Sequence, residues 1–180
     1  MSYSLYLYPT GPVTTPLSKR QVAEWLSRLQ LISAQDSPPC PATERLMEYV
    51  NYLGCSPIVA AGELHASILI HYFDQAIGLG GESVITLRFP GCGHPIDEPA
   101  PLLQGKDQHA QWTCPTCGEH GELGDINWRK SAAFARCFIE ITGIFPKEAL
   151  PNDPFLDALA RFSGGEWAWF YSKSSGFSTL

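Results

Sequence analysis

Cys92-Gly-His94 and Cys114-Pro-Thr-Cys117, separated by nineteen residues, constrain the fold of this chain more than any other feature. Each cluster sets two soft or borderline donors on one tight turn, and the intervening loop can bring the turns together. Three thiolates and one imidazole suit a tetrahedral Zn²⁺. The expected ligands are Cys92, His94, Cys114 and Cys117, with His120 and, more weakly, His109 competing for the imidazole position. Four protein ligands leave no open coordination position, so the zinc is expected to be structural. The stretch 90–124 reads as a loop with few large apolar side chains, which burial alone does not order and a metal can.

The second cluster, Trp112-Thr-Cys114-Pro-Thr-Cys117-Gly-Glu, resembles a zinc-ribbon knuckle, in which Pro and Gly shape the turn between two thiolates. The first cluster departs from that pattern, because Gly93 alone separates its ligands where a ribbon has two residues. A catalytic zinc would need three protein ligands and a neighbouring acid or base, for which Glu119 is the candidate. The zinc-deaminase signature is not met: Pro95-Ile96 follow His94, and Thr113 rather than Pro precedes Cys114.

A chain of 180 residues with 44% hydrophobic and 17% charged side chains is long enough to bury a core of its own. The start Met1-Ser-Tyr-Ser lacks the basic segment of a signal peptide, and no apolar run reaches the roughly 18–20 residues that span a bilayer. A cytoplasmic location is therefore expected, with the six cysteines reduced or metal-bound. The net charge of −6 is concentrated: Asp97, Glu98, Asp107, Glu119, Glu122 and Asp125 surround the metal loop against Lys106 alone. A Cys3His zinc centre adds about one further negative charge. Phosphate backbones repel such a surface, which argues against nucleic acid as a partner.

The periodicities predict α+β architecture: an antiparallel sheet backed by helices, with the zinc-ribbon-like loop inserted. One domain is expected over 1–172, including the metal loop 90–124, with a flexible tail at 173–180. Strict alternation over Ser2–Tyr8 predicts a strand, and Ser18 with Gln21 a capping box opening a helix through Val22, Leu26 and Leu29. A Pro-rich loop at Ser33–Pro41 and a helix over Thr43–Leu53 follow. Leu64–Phe73 reads as a strand, the glycines at 78, 80 and 81 as a turn, and Val84–Phe89 as its hairpin partner. Phe134, Phe138 and Ile141 fall at helical spacing, predicting a helix from near Asn127 to Gly143. Asp153-Pro154 opens a last helix ended by Gly164, and Glu166–Ser172 forms a terminal strand, apolar on both faces and so expected at the centre of a sheet.

No catalytic constellation emerges, and the favoured reading is a non-enzymatic protein-interaction module. In size, acidity and lack of a catalytic motif the chain resembles bacterial immunity proteins, which neutralise a toxin by covering its active site. The resemblance implies that the acidic loop around Asp97, Glu98 and Asp107 meets a basic cleft of the partner. The alternative is an enzyme with an accessory zinc loop and a site near His65, His71 or Cys55. His65 and His71 share a strand face but lie about 20 Å apart, too far to hold one metal.

Overall fold

A computed structural model describes residues 3–11, 18–33, 39–53, 66–81, 85–145 and 148–173. The architecture is α+β. Its centre is a five-stranded antiparallel sheet in the order β2-β4-β7-β1-β9, built from β1 (Tyr3–Pro9), β2 (Cys40–Pro41), β4 (Ser67–Gly80), β7 (Ala132–Ile144) and β9 (Trp167–Lys173). Two-stranded ladders join β3 (Val50–Tyr52) to β8 (Ala149–Pro151) and β5 (Gln111–Thr113) to β6 (His120–Glu122).

One face of the large sheet carries the two long helices, while the short α3 (Pro99–Leu103) packs on the far end of β4. In α1 (Lys19–Arg28), Ser18 accepts from the Gln21 backbone while the Gln21 side chain reaches back to the Ser18 N–H, the expected capping box. In α4 (Asp153–Ser163), Asn152 caps the start, proline occupies the first turn, and Gly164 closes the helix at φ 74°. Trp25 of α1 stacks on Phe162 of α4 with centroids 5.0 Å apart. Beneath them Leu5, Leu7, Ile68, Ile139 and Ile141 meet Val22, Leu26, Phe155 and Leu159 in the principal core.

The structure redraws five expected elements. Residues 132–144 are a strand, not a helix, because β7 is buried on both sides: Cys137, Ile139 and Ile141 face the helices while Phe138 packs on the opposite face. The helix expected over Thr43–Leu53 shrinks to α2 (Leu46–Tyr49), after which Val50–Tyr52 pair with β8. Glycines 78 and 80 do not form a turn; they continue β4 alongside Phe134 and Ala132 of β7, so the metal loop is inserted between two paired strands. Leu87–Phe89 then bridge back to Pro95 and Ile96 rather than to the Leu64–Phe73 segment. Finally, β9 is an edge strand, not a central one.

The long β4–β7 hairpin is broken between Tyr72 and Ile77, where β4 carries extra residues relative to its partner. Asp74, Gln75 and Ala76 bulge into solvent there. Beyond the break the hairpin bends over the face opposite α1 and α4, so that Leu79, Ala133 and Ala135 pack on Tyr6, Phe138 and Phe170. Gly80 permits this approach: a Cβ there would lie 2.7 Å from the Phe170 ring and 2.3 Å from the Ser131 carbonyl. The tip of the hairpin thus presents the 85–131 segment beside the sheet.

Candidate metal centre

Two hairpin turns build the centre. In the first, Phe89 N–H donates to the His94 carbonyl (3.0 Å) and Gly93 N–H to the Phe89 carbonyl (3.1 Å), with Gly91 and Gly93 at φ 80° and 69°. That backbone compresses Cys92 and His94 onto one side of the turn, and the long imidazole spans the reach that the missing ribbon residue would have supplied. In the second, Cys114 N–H donates to the Glu119 carbonyl (2.7 Å) and Gly118 N–H to the Cys114 carbonyl (2.9 Å), closing the knuckle between β5 and β6.

The turns are held together by a core of their own. Leu87, Phe89, Ile96, Leu103, Trp112, Leu123, Ile126 and Trp128 are buried together, and Phe89 packs on Trp112 at 4.9 Å between centroids. Trp112 lies flat enough over the hairpin that a Cβ on Gly121 would come within 2.9 Å of its ring. This corrects the expectation of a loop too poor in apolar side chains to order itself. A metal would reinforce packing that already exists.

The donor atoms of Cys92, His94, Cys114 and Cys117 all lie within 4.8 Å of one another, and His94 Nδ1 is 3.7 Å from Cys114 Sγ. Tetrahedral zinc with Zn–S of about 2.3 Å and Zn–N of about 2.0–2.1 Å sets its ligand atoms about 3.4–3.8 Å apart, so the residues fit that ion with small adjustments. Among the described residues no other group of three or more such side chains converges in this way. His109 is instead bonded to Glu122 (2.8 Å), and His120 lies outside the cluster on β6.

The thiols are electrostatically unequal. Burial opposes ionisation of Cys114, yet the backbone N–H groups of Cys117 and Thr116 and the neighbouring thiols bring it down to about 7. Cys92 accepts from the His94 N–H, but burial and its contacts with Cys117, Cys114 and Glu119 push it up to about 11. The exposed Glu119 carboxylate lies over Gly91, so closely that a Cβ there would sit 2.3 Å from Oε1. It therefore joins the second knuckle to the first.

Of the acidic trio expected to meet a partner, Asp97 and Glu98 are exposed beside the first turn. Asp107 is half-buried and accepts from the His109 N–H (2.9 Å), a role internal to its turn. Cys55 and His65 lie outside the described residues. His71 sits on the face of β4 opposite α1 and α4, where its Nε2 is 2.7 Å from Glu140 Oε2 on β7. Glu140 was not legible as a site residue, because its segment reads as a helix and its partner is remote in sequence. Compared with protein-family models, curated proteins and solved structures, the chain finds no match.

Proposed function

We propose that the protein binds one zinc ion at Cys92, His94, Cys114 and Cys117, and that this zinc is structural. The convergence of four donor atoms within 4.8 Å carries the reading. All four positions of the tetrahedron are supplied by the chain, which leaves none for substrate or water. Elemental analysis of purified protein tests it: about one zinc per chain is expected from a single four-ligand site, and a folded, metal-free protein would end the proposal.

On this reading the fastened segment is an interaction surface, and the protein works by binding another protein rather than by catalysis. Asp97 and Glu98 lie exposed beside the centre, whose three thiolates leave it with net negative charge. The partner class is a basic protein, and a toxin with a cationic cleft is the partner that an acidic immunity protein would cover. Association should weaken as salt rises, with the Debye length falling to about 10 Å at 0.1 M. Charge reversal at Asp97 and Glu98 should slow association; a partner bound equally well by the reversed variant would remove this surface from the proposal.

One observation favours the enzyme alternative. His71 is bonded to a buried carboxylate, an arrangement that orients an imidazole for proton transfer. Screening ester and phosphoester substrates tests it, and turnover lost in His71→Ala would replace the binding reading.

A further inference from the structure

The four ligands differ in exposure. Cys114 is 1% exposed, Cys92 and His94 are half-buried, and Cys117 is exposed. Cys117 also lies in an unbroken exposed run, residues 115–120, at the tip of the second knuckle. The two other described thiols, Cys40 and Cys137, are buried in the principal core. We propose that Cys117 is a modification site, the position at which a peroxide or another soft electrophile attacks the metal centre and opens it. The proposal rests on the zinc reading above, since it is the bound metal that keeps this exposed sulfur in its thiolate form.

The chemistry is balanced without a further reactant. The Cys117 thiolate attacks one oxygen of hydrogen peroxide; the O–O bond breaks, hydroxide leaves, and the sulfur becomes a sulfenic acid. A second ligand thiolate then attacks that sulfur, the S–O bond breaks, and a second hydroxide leaves as the disulfide forms. Two thiolates lose two electrons and one peroxide gains them.

The second sulfur is Cys92. Its sulfur, like that of Cys114, lies within 4.8 Å of the Cys117 sulfur, but it stands on the other turn with part of its surface open. Cys114, by contrast, is enclosed, with its sulfur held by the N–H groups of Thr116 and Cys117. A Cys92–Cys117 bond leaves the metal with His94 and Cys114 alone, and two ligands do not retain zinc. Oxidation would therefore exchange a metal staple for a covalent one between the same two turns.

The test uses the zinc-loaded protein treated with hydrogen peroxide. Zinc release is followed with a chromophoric chelator, and the oxidised cysteines are mapped by mass spectrometry. The first sulfenate among the ligands should map to Cys117 and the disulfide to Cys92–Cys117, while Cys40 and Cys137 stay reduced. Cys117→His, which keeps four ligands, should slow release about tenfold or more. As a check independent of that variant's folding, N-ethylmaleimide should label Cys117 before the other three ligand positions of the wild type. First modification at Cys92 or Cys114, or equal release from both proteins, overturns the proposal while leaving the zinc reading intact. Absence of zinc before oxidant is added overturns both.

Discussion

His71 Nε2 lies 2.7 Å from Glu140 Oε2, joining strands β4 and β7 on the face of the sheet opposite α1 and α4. Tyr6 stands opposite Glu140 on β1, and Phe170 continues the row on β9. The carboxylate is 4% exposed, which alone would push its pKa up, but His71 and the hydroxyls of Ser4 and Tyr6 hold it below 4.5. Ser4 Oγ is itself fully buried and makes no well-formed hydrogen bond, so it supports the charge by its dipole.

A depressed carboxyl pKa has a definite sign in the stability of the fold. The stabilisation is present above 4.5, the unfolded value, and is lost as pH falls through the lower folded value. Urea midpoints should therefore drop below pH 4.5 more steeply in the wild type than in Glu140→Gln. At pH 7 that substitution should cost about 1–3 kcal/mol, the range for disrupting a charged hydrogen bond in the interior. Equal acid sensitivity in the two proteins would mean that Glu140 does not carry this linkage.

Zinc affinity should itself depend on pH, for a separate reason. The Cys92 thiol, at about 11, must give up its proton to ligate, whereas Cys114, at about 7, is largely ionised by pH 8. Each proton displaced lowers the apparent affinity about tenfold per pH unit on acidification. Competition titrations with a chelator between pH 8 and 6 should show at least this slope, and a flat profile would contradict thiolate ligation by Cys92.

Cys114→Ser removes the most enclosed ligand, yet its effect should be local. The metal segment keeps its own core around Phe89 and Trp112, and the large sheet has a separate one beneath α1 and α4. Zinc content should fall well below one per chain, and amide exchange should rise in 88–96 and 111–122 while β1 and β9 stay protected. Uniform exchange throughout would show that the two cores unfold as one.

What the sequence disclosed follows from how far each feature reaches. The ligand turns were legible because coordination chemistry acts within three or four residues, and the capping box at Ser18 and the Asp153-Pro154 helix start are equally local, although the residue that caps that helix is Asn152 rather than Asp153. Strand β7 was not. Phe134, Phe138 and Ile141 fall at helical spacing, and burial on both faces erases the alternation that marks a half-exposed strand. The β-branched run of Ile139, Ile141, Thr142 and Ile144 was the available signal. Missing that strand hid Glu140, since a carboxylate diagonal to His71, whose direct cross-strand partner is Phe138, exists only once β4 and β7 are paired. The glycines at 78 and 80 misled for a related reason: they serve close packing of neighbouring side chains rather than reversal of the chain.

Gly80 offers the most direct test of how the metal segment is docked. Its φ of 99° is a conformation that side-chain-bearing residues rarely adopt, and the space a Cβ needs is taken. The nearest atom is the Ser131 carbonyl oxygen, at 2.3 Å, and it is backbone that cannot swing aside. The same carbonyl accepts from Gly81 N–H at 2.9 Å, so moving it would open the ladder where the hairpin meets the metal segment. Gly80→Ala should cost about 2–4 kcal/mol, combining backbone strain with the clash. Gly11→Ala is the control, because nothing lies within 4 Å of its Cβ position and its φ is not positive. Its effect should stay within about 0.5 kcal/mol. Thermal or urea denaturation measures both, and near-neutral behaviour of Gly80→Ala would show that the bent hairpin is not held against Phe170 in solution.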